Sequence, residues 1–558
     1  MRSLGLSNVA VVGVLLLASG MVMGCSCSDG HVPPSTEAGA AHCGDQCLPA
    51  MPPAATMGQM CCESTNMCVD YDVNALCMPG FTCPLANLVL DAHCAITCSM
   101  CMERPPLNPG YLATDLDFVI TSSGAQLVSG YSPGNPPAPL YGDLVVGTVP
   151  TETGGTISWA IVDGAPTMPV TASPNGWRHG VAAPGDDVGR WTSIAATSTE
   201  FYIAYYDETH GALKLAIGTP GMWHVQTVDD TGDAGRYASM VLTSTGVPAI
   251  AYLGFETNAM GAVHSHVRVA IAHSPMPAAA ADWTVTRIAD ATSPCRPALC
   301  ATGQRCLTAG TCTMPSGTCT PACTTDQVCV SGMCQAALAA SYVEDLTPAH
   351  GLFTQLAVTP TGLALVFYDR TEGNIYGVAA TGTTWGTPFL IDGYGRNDPN
   401  TGDSGIGASL FIDGMGVWHV SYVDGAEEVL RYATVSTATP PAITHEVIDD
   451  GSTTNGTMMQ TDGRHIVGDD SSIVVMMNGE VRVAYQDATS ERTMIARRST
   501  GPTGTWSHAI LDMEKHNGFW VEQQLNPAGD QSYVASWWID RMTTTVTNGV
   551  HVTQVPAH

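Results

Sequence analysis

An all-β fold, a seven-bladed β-propeller with a disulfide-rich N-terminal region and an inserted disulfide-rich module, is predicted by three observations: a glycine-anchored repeat, a turn-rich composition and two cysteine clusters. The repeat carries most of the weight. Two glycines with ten residues between them recur at Gly235/Gly246, Gly351/Gly362, Gly405/Gly416, Gly468/Gly479 and Gly518/Gly529, and a further copy opens at Gly189 without its second glycine. The copies share an apolar strand, a turn, and a second strand that in five of the six ends in an aromatic, one residue and an aspartate. Tyr205-Tyr206-Asp207, Phe367-Tyr368-Asp369, Tyr422-Val423-Asp424, Tyr485-Gln486-Asp487 and Trp538-Ile539-Asp540 are the instances. A third strand follows, as in Leu213-Lys214-Leu215-Ala216, and then a fourth opening on tryptophan: Trp177, Trp223 and Trp506 stand twelve positions before Gly189, Gly235 and Gly518. Four short strands in a period of roughly 45 to 60 residues make a propeller blade, since one such sheet cannot bury both faces alone. Asp117 marks a degenerate first copy near residues 112–187, with spare strand material at 143–148, and brings the blades to seven. Tandem immunoglobulin-like sandwiches would need about 100 residues per domain, twice this period.

Composition agrees. Glycine (58) and proline (36) outnumber lysine plus arginine (20), which suits many turns and few long helices. A net charge of −30 sets up a field that repels nucleic acid and anionic lipid headgroups and attracts cations or basic partners, so no nucleic-acid partner is expected.

The cysteines fall in two clusters, which in an exported chain argues for disulfides. The first comprises Cys43, Cys47, Cys61, Cys62, Cys68, Cys77, Cys83, Cys94, Cys98 and Cys101; the second comprises Cys295, Cys300, Cys306, Cys312, Cys319, Cys323, Cys329 and Cys334. Both sets are even and both connectivities stay open. Cys98 and Cys101 form a C-x-x-C pair beside His93 and Cys94, but a lone pair in an oxidising compartment favours bridges over zinc, and no metal site is assigned. The second cluster repeats internally, with Arg296-Pro297-Ala298 echoed by Thr320-Pro321-Ala322, so two small stapled units in tandem are expected. It interrupts the repeat: twelve residues after Trp283, where a glycine is due, stands Cys295.

The N-terminus has one basic residue, Arg2, an apolar run from Val9 to Ala18, and small residues up to Cys25; this reads as a signal peptide too short to span a bilayer. Val22-Met23-Gly24-Cys25 resembles the lipobox of bacterial lipoproteins, with valine in place of the usual leucine. That resemblance implies lipidation of Cys25 and attachment to a membrane through the N-terminal lipid only. Ser26 after the cysteine implies the outer membrane of the cell envelope, with the propeller outside the cytoplasm. The chain thus divides into a signal peptide (1–24), a lipid-anchored cysteine-rich region (25–109), blades 1–3 (110–291), the inserted module (292–340) and blades 4–7 (341–558).

The stretch from Gly235-Arg236-Tyr237-Ala238-Ser239 to Ala249-Ile250-Ala251-Tyr252 resembles repeats of bacterial propellers related in architecture to sialidases. The chemistry of that family does not follow. No Arg-Ile-Pro opening occurs in the first blade, and of the Ser-x-Asp-x-Gly-x-x-Trp box Gly382-Thr383-Thr384-Trp385 keeps only the tail. No Gly-x-Ser-x-Gly elbow, phosphate-cradling loop or His-Glu-x-x-His helix is present. His264, His266 and His419 read as strand residues without a metal set. No cofactor is expected, although the acidic turns Asp186-Asp187, Asp229-Asp230, Asp449-Asp450 and Asp469-Asp470 could supply oxygens to calcium.

Four positions after each opening glycine stand Ser193, Ser239, Gln355, Ser409, Ser472 and Glu522, with Asp117 at the matching place in blade 1. All are polar in apolar strands. At one register of the innermost strands they should ring the channel, either closing inter-blade hydrogen bonds or forming a ligand funnel charged by Asp117 and Glu522. The leading expectation is a non-enzymatic binding scaffold for a protein or glycan; the alternative is a secreted glycoside-directed hydrolase with a divergent site in the funnel.

Overall fold

The computed structural model describes residues 57–557 except 63–66, 73–75, 78–80, 104–109, 135–141, 151–154, 167–176, 182, 258–262, 293–299, 308–310, 338–348, 371–372, 394–402, 457, 502–503 and 542–546. It forms two compact units, residues 1–105 and 106–558. The signal peptide, Cys25, Cys27, Cys43, Cys47 and Cys295 lie outside the described residues.

The larger unit is a seven-bladed propeller. Its innermost strands are Thr114–Ile120, Val188–Ala196, Asp233–Leu242, His350–Thr359, Ser404–Ile412, Val467–Val475 and His516–Leu525, and in every blade the later strands follow outward in chain order. Each innermost strand packs on the next, and His516–Leu525 returns to Thr114–Ile120, which closes the ring. The middle strands are sandwiched on both faces by neighbouring blades, which is why Phe201–Asp207 reads as a nearly unbroken apolar run and is buried almost throughout. Each of the seven seams has its own apolar cluster: Leu144 meets Tyr205 between blades 1 and 2, for example, and Val128 meets Trp537 between blades 1 and 7.

Two details differ from the repeat as read. Blade 7 has three strands among the described residues, ending at Thr547–Gln554. Among the described residues no strand is shared across the closure; side chains fasten it, the Leu112 N–H donating to Asn548 Oδ1 at 3.0 Å and Trp537 Nε1 to the Leu112 carbonyl at 2.9 Å. In blade 1 the spare segment is the third strand, Asp143–Val149; the fourth is Ser158–Asp163, and Trp177 sits in a short 3-10 turn rather than opening a strand.

The opening glycines hold the seams. Gly235 has φ +113°, and a Cβ there would lie 2.8 Å from Leu213 Cα on the third strand of blade 2. Gly189 stands the same way over Leu144, and Gly468 over Leu430. A side chain at this position would therefore meet the preceding blade while straining its own backbone.

The smaller unit carries short antiparallel pairs, Met57–Cys62 with Met67–Asp72 and Leu88–Leu90 with Ile96–Cys98, stapled by Cys62–Cys94, Cys77–Cys101 and Cys83–Cys98. Cys98 and Cys101 are thus bridged. Between blade 3, ending at Thr292, and blade 4, starting at His350, lie the hairpins 305–313 and 327–336, with Cys300–Cys312, Cys319–Cys329 and Cys323–Cys334. The halves are more than tandem: Leu307 pairs with Ala337, and both pack with Val328 in one small core.

Candidate functional site at the channel mouth

The seven residues of the predicted register, Asp117, Ser193, Ser239, Gln355, Ser409, Ser472 and Glu522, all line one central cavity of about 280 Å³. They stand mid-strand, and most are spoken for. The Ser193 hydroxyl accepts the Met240 N–H of the next blade (3.1 Å), Ser239 that of Leu356 (3.0 Å), Ser409 that of Ile473 (3.2 Å) and Ser472 that of Gln523 (2.9 Å); the Asp117 carboxylate accepts that of Ile194 (2.7 Å). In each case the donor lies one residue beyond the next blade's ring residue. An innermost strand has no strand partner on its channel side, and this belt satisfies one of its free N–H groups in five of the seven blades, each bond contributing about 1 kcal/mol. Gln355 and Glu522 accept no such N–H among the described residues; Glu522 instead receives the Ser472 hydroxyl at 3.1 Å.

The mouth itself is built two residues earlier. There Asp115, Trp191, Tyr237, Phe353, Gly407 and Trp520 have φ between +48° and +58°, and the pairing with the second strand slips at the same place. Such a β-bulge re-aims the side chain of the extra residue. Blade 6 has Asp470 at the equivalent position. The seven side-chain positions line a second cavity of about 170 Å³ that also touches Gln355 and Glu522. Blades 2 to 4 give it an aromatic wall, with Trp191 to Tyr237 and Tyr237 to Phe353 each 5.0 Å between ring centroids. The other side presents Asp470, Trp520 and Asp115 in successive blades, the Trp520 N–H donating to Asp470 at 2.9 Å. Thr354 and Ser471 anchor two bulges, donating to the Tyr237 and Gly407 carbonyls.

Four carboxylates converge here. Burial pushes Asp115, Asp117 and Asp470 up to about 6, backbone N–H groups opposing the rise at Asp117 and Asp470 and the Arg190 guanidinium opposing it at Asp115. Burial raises Glu522 well above the usual carboxylate range, and the charge of Asp117 adds to it. Their surfaces open onto the cavities, but the enclosing protein removes most of the water that would stabilise the charge.

The remaining acidic residues have other work. Asp229 and Asp449, read as calcium turns, accept the hydroxyls of Tyr252 and Tyr485 from the following blade at 2.7 and 2.6 Å, and Asp163 and Asp392 do the same for Tyr205 and Tyr422. Of the aromatic-x-Asp aspartates, Asp207, Asp424 and Asp487 cap their turns, as Asp424 does for Ala426 and Glu427, and each pairs with a base, Asp424 with Arg431 at 3.1 Å. Asp469 and Asp470 are in an innermost strand, not a turn. Asp186, Asp207 and His210 each bring a ligand atom within 4.8 Å of the others and could hold a metal ion such as calcium; only Asp207 is buried, and it lies 3.7 Å from the Lys214 ammonium. His419 contacts the Tyr432 hydroxyl at 2.6 Å, and His266 lies 3.7 Å from Glu256.

The mouth residues escaped the sequence reading although a signal for them exists: Gly-Arg-Trp, Gly-Arg-Tyr, Gly-Leu-Phe and Gly-Phe-Trp repeat an aromatic two positions after the opening glycine.

No protein-family model and no curated protein matches the chain. Among solved structures it is similar to an α-L-arabinofuranosidase from Lactobacillus brevis (12% identity, 57% of this chain and 92% of that one, TM-score 0.29). It is also similar to the Aleuria aurantia lectin in complex with α-methyl-L-fucoside (11%, 73% and 98%, 0.34) and to the NanB sialidase of Streptococcus pneumoniae (10%, 82% and 71%, 0.34). Likeness at this level carries no argument.

Proposed function

We propose that this chain is a cell-envelope lipoprotein, tethered through Cys25, whose propeller binds a carbohydrate at the channel mouth. The observation that carries the reading is the joining of Trp191, Tyr237, Phe353 and Trp520 with Asp115, Asp470 and Glu522 in one cavity. Aromatic faces take the apolar face of a sugar ring, and carboxylates accept its hydroxyls. A glycan array should give a saturable ligand whose affinity falls about tenfold in Tyr237→Ala, the central ring of the wall, on the scale of one lost stacking contact. An array without any ligand, or a Tyr237→Ala protein that is folded and binds undiminished, would overturn the site.

Hydrolysis is the second reading, favoured by Asp117 and Glu522, neighbouring carboxyl groups of unequal proton affinity. Release of reducing sugar from the array ligand, abolished by Glu522→Gln, would establish it. Tethering has its own check: replacing Cys25 with alanine should move the protein from the membrane fraction to the soluble one, and a variant that stays with the membrane removes the lipid anchor.

A further inference from the structure

Buried carboxylates elsewhere in the propeller are matched by bases. Asp143 holds Arg178 at 2.6 Å, Asp229 holds Arg268 at 2.9 Å, Asp487 holds His465 at 2.6 Å, and Glu480 holds Arg482 at 2.6 Å. The four channel carboxylates, Asp115, Asp117, Asp470 and Glu522, form no ion pair among the described residues. The base nearest in effect to Asp115 is Arg190, which is committed to Glu208 at 2.8 Å. Like charges gathered in a channel without a counter-ion are costly.

Two independent features of the same channel indicate what offsets that cost. The amide of Gln523, 2% exposed, has neither its N–H groups nor its oxygen bonded to protein, and this residue lines the cavity of about 280 Å³ with Asp117 and Glu522, the last of which also lines the cavity that holds Asp115 and Asp470. Buried polar groups without a protein partner are rare and call for a ligand or ordered water. The adjoining cavity, which holds Asp115 and Asp470, is lined by the aromatic rings of Trp191, Tyr237, Phe353 and Trp520, and an aromatic ring attracts a cation through its π face.

We infer that the carbohydrate recognised at this mouth carries a free ammonium group: an amino sugar whose nitrogen is not acetylated, its ring on the aromatic wall and its charge between Asp115 and Asp470. The inference rests on the carbohydrate reading above and adds the charge. A bare divalent cation would use the carboxylates but leave the aromatic wall without a role.

The test compares, by calorimetry at near-neutral pH, glucosamine oligomers with N-acetylglucosamine oligomers of the same length and with a lysine-containing peptide. The amino form should bind at least about tenfold tighter than the acetylated form, the value of one desolvated cation–π contact or charged hydrogen bond. In the double variant Asp115→Asn, Asp470→Asn the two sugars should bind within about threefold of each other, on the same arithmetic. The amide oxygen that replaces the Asp470 carboxylate can still accept the Trp520 N–H, and thermal unfolding checks that the variant is folded. Equal or tighter binding of the acetylated oligomer overturns the ammonium inference and leaves the carbohydrate reading standing. Binding of neither sugar overturns the ammonium inference, while the glycan array decides the carbohydrate reading separately. A lysine peptide as tight as the amino sugar overturns it also, because the sugar ring would then not be recognised.

Discussion

Gly235→Ala should unfold at clearly lower denaturant concentration than the parent, with a loss of about 2 to 4 kcal/mol. Two costs add. The backbone there has φ +113°, a conformation that residues with a Cβ rarely adopt, and the new methyl would stand 2.8 Å from Leu213 Cα and 3.1 Å from its nitrogen. Those atoms are main chain of the third strand of blade 2, so no rotamer change makes room; the seam itself must open. Gly246→Ala is the control. It has φ +76° in the turn of the same blade with nothing within 4 Å of the added Cβ, so it bears only the backbone cost of about 1 kcal/mol. Urea unfolding of the two variants side by side measures the difference. If both lose the same amount, the opening glycine serves its own backbone only and does not hold the seam.

Glu522→Gln should stabilise the protein at pH 8 and lose that advantage by pH 5. Burial and the neighbouring Asp117 raise the proton affinity of Glu522 in the folded state, so between its unfolded and folded pKa the native protein binds more protons than the unfolded chain. Stability attributable to this group therefore falls as pH rises through that window and is lowest above it. Glutamine removes the charge while keeping an oxygen for the Ser472 hydroxyl. With screening by water in the channel taken into account, the gain is about 1 to 2 kcal/mol at pH 8. Asp115, Asp117 and Asp470, raised to about 6, act in the same direction, whereas Asp229 and Asp512, whose carboxyls are lowered, lose their contribution only at more acid pH. The readout is the difference in melting temperature between variant and parent across the pH range, which isolates Glu522 from the other titrations. A difference that does not change with pH, or a variant less stable at pH 8, would mean that the carboxylate is not held against its preference. Stability surrendered in this way is the usual mark of a site kept for binding or chemistry.

Period and patterning decide the architecture because a blade is a local object: its strands are consecutive, its turns are short, and its apolar runs announce burial on both faces. The glycine spacing, the aromatic-x-Asp strand end and the polar register from Asp117 to Glu522 were all legible for that reason. So was the place of the cysteine-rich insertion, since Cys295 falls where the repeat calls for glycine. Contacts between repeats were not. Asp229 and Asp449 could be read as calcium turns because their true partners, Tyr252 and Tyr485, belong to the following blade and leave no local sign. The serines of the register could be read as ligand groups because the N–H each accepts lies on another strand. The mouth was the least legible part: a single left-handed residue inserts a bulge, shifts the pairing and turns Trp191, Tyr237, Phe353 and Trp520 toward the cavity, whereas strict strand alternation assigns each residue two places along to the same face. Six such bulges, with Asp470 at the equivalent place in blade 6, meet only when the ring closes, so the sequence specifies each blade, while the gathering of four carboxylates and an aromatic wall around one channel is a property of the closed tertiary structure.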